Sequence, residues 1–349
     1  MSKIAVFTDI HFGEHQDSKA HNEMCIEFIE WFITQAKDQG ADKIIFMGDW
    51  HHNQSRIGSE TLNYSYKGCQ LLNDSGLDTF FIIGNHDILY KDTRQIHSLP
   101  FLSDFPNIIE VNDAQSYDDV SGKKWLMVPW VTPNDDLSEH LQTNYDYVFG
   151  HFEFPGFMMN EMYKMPDRVG KMKADVFTKP KFVFSGHFHK RQSYKVKGGA
   201  TVWYVGNAFP HNMSDAGDRD RGMMILDQSI DDVSFINWPD MPTYDKVKLS
   251  ELLENPDNYG SRATVKVIQD IVLNETERDE MRTALTETVG IGRVSIDPAQ
   301  PEEFKELEID HTEKETLNEK VEQFLSEQDW NSIIEGSSSE RMITLYSRG

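Results

Sequence analysis

Apolar and polar positions along the first third of the chain follow two alternating periods. Ile4–Thr8 is a short apolar run that meets a carboxylate, Asp9, at once, as a buried strand does where it leaves a sheet. Between Ala20 and Asp38, Cys25, Ile29, Phe32 and Ala36 recur at i, i+4, i+7 and i+11, and Met24, Phe28 and Trp31 widen the stripe. That period predicts a deeply packed helix, which Gly40 stops. Lys43–Met47 predicts a second strand. Leu62, Tyr66, Cys69 and Leu72 predict a second helix ending near Gly76, and Thr79–Ile83 a third strand. The β-α-β-α-β order implies parallel strands joined by right-handed crossovers.

Beyond about residue 100 the pattern turns to strands: Ile108–Val111, Trp125–Val128, Tyr147–Phe149, Phe182–Phe184, Ser193–Val196, Thr201–Val205 and Met223–Leu226. A second sheet packed on the first, with helices outside both, accommodates them, so the fold class is α/β (α+β) with a two-sheet sandwich. Asn212–Gly222 reads as a Gly/Asp/Arg loop. Near residue 240 the pattern changes: strands are expected over Arg262–Gln269 and Gly292–Ile296 around a helix near Glu275–Thr286. An acidic stretch follows from Pro301, then a short helix around Thr316–Ser326 and a Gly336-Ser-Ser-Ser linker. Three domains are therefore expected, over 1–238, 239–300 and 301–349.

The hydrophobic content of 38% allows a real core in a chain of 349 residues. No apolar run reaches the ~20 residues of a membrane span. Cys25 and Cys69 both fall in helical patterns, which fits a reducing compartment and no disulfide framework. The net charge of −24 argues against a protein that simply coats DNA. The charge is uneven, however: Lys164–Lys197 holds ten Lys or Arg against Asp167 and Asp175, a local +8.

The expected strands end in metal-ligand residue types. The first is followed by Asp9-Ile10-His11, the second by Gly48-Asp49 and the third by Gly84-Asn85-His86-Asp87; later strands end in Gly150-His151 and Gly186-His187-Phe188-His189. Open α/β sheets place their sites beyond the carboxyl ends of their strands. Each motif alone is weak, since Asn and Asp favour turns in any case. All five, each after a strand, are specific. The donors are carboxylate, amide and imidazole, with no thiolate, which suits manganese, iron or zinc better than magnesium or calcium. Seven such ligands exceed the needs of one ion and suit two ions sharing a carboxylate, a pair that clamps a phosphate and neutralises the charge of in-line attack.

Asp9-x-His11, Gly48-Asp49, Gly84-Asn85-His86-Asp87, Gly150-His151 and Gly186-His187-x-His189 together resemble the motif set of the calcineurin-like metallophosphoesterase superfamily. Within it the chain resembles the SbcD-type nuclease subunits of nuclease–ATPase DNA-repair complexes, those of large tailed bacteriophages in particular. That narrower likeness rests on Asp49-Trp50-His51-His52, Gly206-Asn207, the Arg221-Gly222 run into a strand and the C-terminal extension. Trp50 and Gly206-Asn207 depart from the usual pattern, which has an aliphatic residue and a Gly-Ser there.

The resemblance implies that Asp9, His11, Asp49 and His189 bind one ion, and that Asp49, Asn85, His151 and His187 bind the other, with Asp49 as the bridge. It implies that His86 contacts the scissile phosphate and assists the leaving oxygen, that Asp87 orients His86, and that His52 contacts the phosphate and positions DNA. Lys190 and Arg191, in the basic segment, are candidate DNA contacts. The implied protein is a manganese-dependent endo/exonuclease working with an SMC-like ATPase on double-stranded DNA ends. It would be a homodimer in the cytoplasm, the host's if phage-encoded. Residues 1–238 would be the nuclease domain, 239–300 a DNA-facing cap and 301–349 the ATPase-binding segment, through Leu317, Val321, Phe324, Leu325, Trp330, Ile333 and Ile334.

The alternative is a small-substrate phosphodiesterase or a phosphatase on the same scaffold. A Ser/Thr phosphatase would carry Asp-Arg-Gly soon after the bridging Asp and Gly-Asn-His-Glu in the third motif. This chain has His52-Asn53-Gln54 and Asp87. A non-catalytic scaffold is disfavoured, because every ligand type is present. The Met158–Met172 methionines, Trp125, Trp130 and His15, His21, His97 and His140 read as core or surface residues.

Overall fold

The apolar runs of the first third become the centre of a sheet whose strands stop where the polar motifs begin. The computed structural model describes residues 2–167, 172–271 and 273–297. In chain order its strands are β1 (Lys3–Phe7), β2 (Lys43–Phe46), β3 (Asp78–Ile82), the hairpin β4 (Ile88–Tyr90) and β5 (Thr93–His97), β6 (Ile108–Val111), β7 (Gln115–Asp118), β8 (Lys124–Val128) and β9 (Tyr147–His151). There follow β10 (Phe182–Gly186), β11 (Gln192–Lys195), β12 (Thr201–Tyr204), β13 (Gly222–Asp227), β14 (Asp232–Asn237), β15 (Thr243–Lys248), β16 (Ala263–Ile268) and β17 (Arg293–Asp297).

Two six-stranded sheets result, in the orders β14-β13-β1-β2-β3-β6 and β11-β12-β10-β9-β8-β7. The β1-β2-β3-β6 strands pair in parallel, as do β8-β9-β10-β12, so within each sheet their carboxyl ends share one edge. Residues alternate between two faces along each strand. Val6, Ile45, Met47 and Phe80 face inward to meet Trp125, Met127, Phe149 and Phe184, forming the core between the sheets. Ala5, Phe7, Ile44 and Phe46 point outward, under the helices Lys19–Asp38 and Ser59–Asp74. Both free cysteines are buried in that outer layer, one on each helix. A further apolar layer, from Leu126 to Tyr204, covers the outside of the second sheet.

Met1–Pro298 forms one compact unit. Within it a three-stranded parallel sheet, β15-β16-β17, carries its own core of Leu249, Leu252, Val265, Val267 and Val294. A helix over Glu275–Thr283, opened by an Asn274/Glu277 capping box, packs beside it. The helix expected around Thr316–Ser326 and the apolar positions from Leu317 to Ile334 lie outside the described residues. Among those described, no helix is long and apolar enough to cross a membrane.

Several elements differ from the sequence-based expectation. The strands β5, β7, β14 and β15 have polar, half-exposed faces, and no apolar run announces them. Asn212–Gly222 is the expected loop, with one 3₁₀ turn over Met213–Asp215, and its Arg221 is fully buried, paired with Asp215 and Asp218.

Candidate metal centre

The turns that follow the strands are tight, and the residues at them are held in an unusual backbone conformation. Asp9 and His11 have φ of 52°, Asp49 61° and His187 84°. Outside glycine such values cost on the order of 1–3 kcal/mol each and persist where the surroundings impose them. The neighbouring glycines are there for close approach. A Cβ on Gly84 would lie 2.3 Å from both the N and the Oδ1 of Asp49. One on Gly186 would lie 2.2 Å from the Thr8 Oγ1 and 2.6 Å from the Met47 carbonyl, so glycine lets the second sheet press its edge against the first.

Two groups of ligand atoms assemble at this edge, Asp9–His11–Asp49 and Asp49–His151–His187, with the atoms in each group lying within 4.8 Å of one another. Asp49 belongs to both. The His11 Nε2 stands 3.9 Å from Asp9 Oδ1 and 3.8 Å from Asp49 Oδ2. The His151 Nε2 stands 3.3 Å from Asp49 Oδ2 and 3.0 Å from Asn85 Oδ1. Its Nδ1 lies 2.7 Å from the Met47 carbonyl, a contact in which Nδ1 donates and Nε2 is turned to the site. The His187 N–H donates to both Asp9 oxygens, at 3.1 and 3.0 Å. The His189 ring centre is 5.3 Å from that of His11. The structure thus brings all seven sequence-predicted ligands to one place.

The electrostatics fit a cation. Burial and the neighbouring His86 hold the His11 imidazole well below its usual range, so it is neutral. Both its nitrogens are buried with no hydrogen-bond partner among the described residues. A buried polar atom in that state is costly unless something binds it. Burial pushes the Asp9 carboxyl up to about 6, against the pull of His151. Burial would also raise Asp49, but His151 and His86 override it and hold Asp49 well below the usual carboxylate range. Burial would lower His151, yet the Asp49 charge lifts it to about 9. Bound divalent ions would meet the same demand for positive charge and take His151 as a neutral ligand.

His86 and His52 stack at 5.6 Å beside this centre, and His86 Nδ1 lies 2.6 Å from the His52 carbonyl oxygen. The His52 ring is tied to the Glu14 carboxylate. Asp87 does not orient the His86 ring, as the resemblance implied. Its Oδ1 accepts from the N–H groups of Trp50 and His51 at 2.9 and 3.1 Å, and its Oδ2 from those of Asp49 and Gly84 at 3.0 and 2.9 Å. Buried and lower in the turn, it clamps the backbone that presents Asp49.

Lys190 and Arg191, the candidate DNA contacts, are engaged by neighbouring groups. Lys190 pairs with Glu161 at 2.6 Å. Arg191 lies 4.3 Å over the Phe235 ring and donates to Val205 O and Asn237 Oδ1. Trp50 is fully buried among Phe12, Phe46 and Phe81, so this departure from the family pattern enlarges the core and leaves the site edge untouched. Trp130 is half-buried, its ring centre 5.0 Å from that of His187. Sequence reasoning missed Glu14 and His211. Glu14 follows His11 too closely to stand out, and His211 belongs to no spaced motif, although Pro210 and the Asn212 turn mark it as a loop histidine.

The model of the calcineurin-like phosphoesterases matches residues 2–191. The exonuclease subunit 1 of Enterobacteria phage T4 is 28% identical over 238 residues, which are 67% of either chain. Among solved structures, a dimetal phosphatase from Danio rerio aligns with a TM-score of 0.41 at 11% identity, over 64% of this chain and 91% of that one. A phosphoesterase from E. coli aligns with a TM-score of 0.38 at 14% identity, over 68% and 94%.

Proposed function

The chain belongs to the calcineurin-like phosphoesterase family, and from that premise we propose that it is a two-ion DNA nuclease working with an SMC-like ATPase on double-stranded DNA ends. The observation that carries the reading is the pairing of two ligand groups through Asp49, with the His86–His52 imidazoles beside them. Asp9, His11, Asp49 and His189 would hold one ion and Asp49, Asn85, His151 and His187 the other. Manganese suits this mixed oxygen and imidazole set. When bound, such a pair polarises the phosphoryl oxygens, activates water and offsets the charge of in-line attack.

The protein's own groups do the rest. With the His86 Nδ1–H donating to the His52 carbonyl, Nε2 would give a proton to the departing oxygen from the imidazolium form, leaving the neutral ring with its proton on Nδ1. Glu14 fixes the His52 ring, which in turn aligns the phosphate. Asp87 holds the turn that carries Asp49, keeping the shared ligand in place.

DNA as the substrate is supported by the likeness to a phage exonuclease subunit and by the basic segment that runs through His187-x-His189. Lys164, Lys195 and Lys197 on that segment are exposed. Residues 239–300 would then cap the DNA, and 301–349 would bind the ATPase. A homodimer in the cytoplasm, or the host cytoplasm for a phage protein, completes the reading. A small phosphodiester is the second reading, favoured because Lys190 and Lys173 are paired with Glu161 and Asp167. The test is manganese-dependent cleavage by the purified full chain of double-stranded DNA, bis-p-nitrophenyl phosphate and a phosphopeptide. Turnover of the small ester with none of DNA, with or without an SMC-like ATPase, would sink the nuclease reading.

A further inference from the structure

Beside the seven family ligands, four of them imidazoles, stands a fifth imidazole that the family motifs do not contain. The ligand atoms of His211, His11 and His189 all lie within 4.8 Å of one another. The His211 ring meets His11 edge-to-face at 5.2 Å and 83°, and His189 at 5.4 Å and 76°. It is 1% exposed, and its Nε2 is buried with no hydrogen-bond partner among the described residues. An imidazole nitrogen in that position forfeits its hydration for nothing unless it binds a cation or a trapped donor.

The ring is also held in place from behind. The His211 backbone N–H donates to Asp215 Oδ2 at 2.9 Å, and its backbone carbonyl accepts from His15 Nε2 at 2.7 Å. Asp215 is in turn fixed by the fully buried Arg221, 3.4 Å from its Oδ1, and Arg221 is pinned by Asp218. Phe209 backs the ring at 5.1 Å and His21 at 5.4 Å. A buried Arg with two carboxylates is expensive to maintain and is rarely kept for stability alone. Here it anchors the loop that delivers one nitrogen to the His11 side of the centre.

We propose that His211 is a metal ligand, which with His11 and His189 forms a three-imidazole face on the ion that Asp9 and Asp49 also hold. The proposal rests on the two-ion reading and extends it. The consequence is an asymmetric pair. The ion on the His11 side gains nitrogen donors, which favour zinc, cobalt or nickel over manganese more strongly than an oxygen-rich shell does. The ion on the His151 side keeps the ordinary set.

The test uses the full-length chain, stripped with chelator and titrated with Co²⁺ alone, followed by visible absorption and by competition with Mn²⁺. Two ions per chain are expected for the wild type. His211→Phe keeps an aromatic ring against Phe209 and removes the donor, and His211→Gln is the polar control. Both should lose at least about 10-fold in Co²⁺ affinity at one of the two sites and change its absorption band, leaving the other unmoved. The Co²⁺ preference over Mn²⁺ should narrow at that same site. Proton NMR of the wild-type Co²⁺ protein needs no variant: it should show five shifted imidazole N–H resonances, for His11, His151, His187, His189 and His211. Variants that melt like the wild type and bind both ions with unchanged affinity and spectrum would overturn the role of His211, as would four shifted resonances. A wild-type chain that binds no Co²⁺ would overturn the two-ion reading itself.

Discussion

The Asp87 carboxylate lies against the backbone of Asp49, its Oδ2 3.0 Å from the Asp49 N–H. Both Asp87 oxygens accept two backbone N–H groups, so the side chain is fully used by the turn. Burial and the Asp49 charge push its carboxyl up to about 6, against the pull of those donors. Asp87→Asn keeps the shape but turns an amide N–H₂ against two of the donors. Two buried hydrogen bonds are lost, a cost of about 2–4 kcal/mol. Urea unfolding of the metal-free protein should show that loss, together with weaker metal binding. An unchanged midpoint with lost activity would return Asp87 to the role of His86's partner.

His86 makes a different prediction: its ring groups with His11 and His52, outside the two groups that share Asp49. His86→Asn should retain the wild-type metal content and lose cleavage by about 10²–10⁴-fold, the usual cost of a positioned acid or base. Asp49→Ala should lose both metal and turnover. Parallel loss of metal in His86→Asn, measured by elemental analysis, would make His86 a ligand.

The glycine before Asn85 carries a third prediction. Gly84 has no steric room for a methyl group, since the Asp49 N and Oδ1 would both lie 2.3 Å from it. Gly84→Ala must therefore displace the shared ligand. Metal affinity should fall at both sites together, and stability by about 1–3 kcal/mol, as for overpacked sites elsewhere. Calorimetric titration with Mn²⁺ checks it; a variant that loses one ion and keeps the other would place Asp49 in one site only.

Much of this centre was legible in the sequence, because the chemistry is written at strand ends. Asp9, Asp49, Asn85, His151 and His187 each follow an apolar run, and a run followed by Gly and a ligand type is readable without coordinates. What escaped was set by tertiary contact. The alternation in β14 is too short and too exposed to show against its polar flanks, and β15, largely polar and half-exposed, pairs with β16 from far along the chain. The burial of Arg221 has no mark in the sequence, because Asp215 and Asp218 close around it only in the fold. The local +8 likewise shrinks in three dimensions, because Lys173, Lys181 and Lys190 each meet an acid, two of them from outside the segment. The role of Asp87 went astray because motif spacing places it next to His86, whereas the turn folds it under Asp49.

A last prediction concerns the far edge of the sandwich, where Asp231 ties the two sheets together. It sits in the turn between β13 and β14 of the first sheet and accepts from Lys123 and Lys181 at 2.9 Å each, and from the Tyr147 hydroxyl, all on the second. Burial would raise its carboxyl, but those three donors outweigh burial and hold it well below the ordinary value of 3.8. A depressed folded pKa means that the unfolded chain takes up the proton first as pH falls. The stabilisation is therefore complete above the unfolded value of 3.8 and is lost as pH drops through the folded one. Asp231→Asn keeps the shape and removes the titration. The gap in urea midpoint between wild type and variant, measured in chelator, should be constant from about pH 7 to about pH 5 and shrink towards about pH 3. It should also narrow in salt, because Lys181 is partly exposed. Turnover per bound metal should stay at the wild-type level, since Tyr147 and Lys181 lie at the amino ends of β9 and β10 and the ligands at their carboxyl ends. A gap that ignores pH would mean that Asp231 holds the sheets through geometry alone, with its charge contributing nothing.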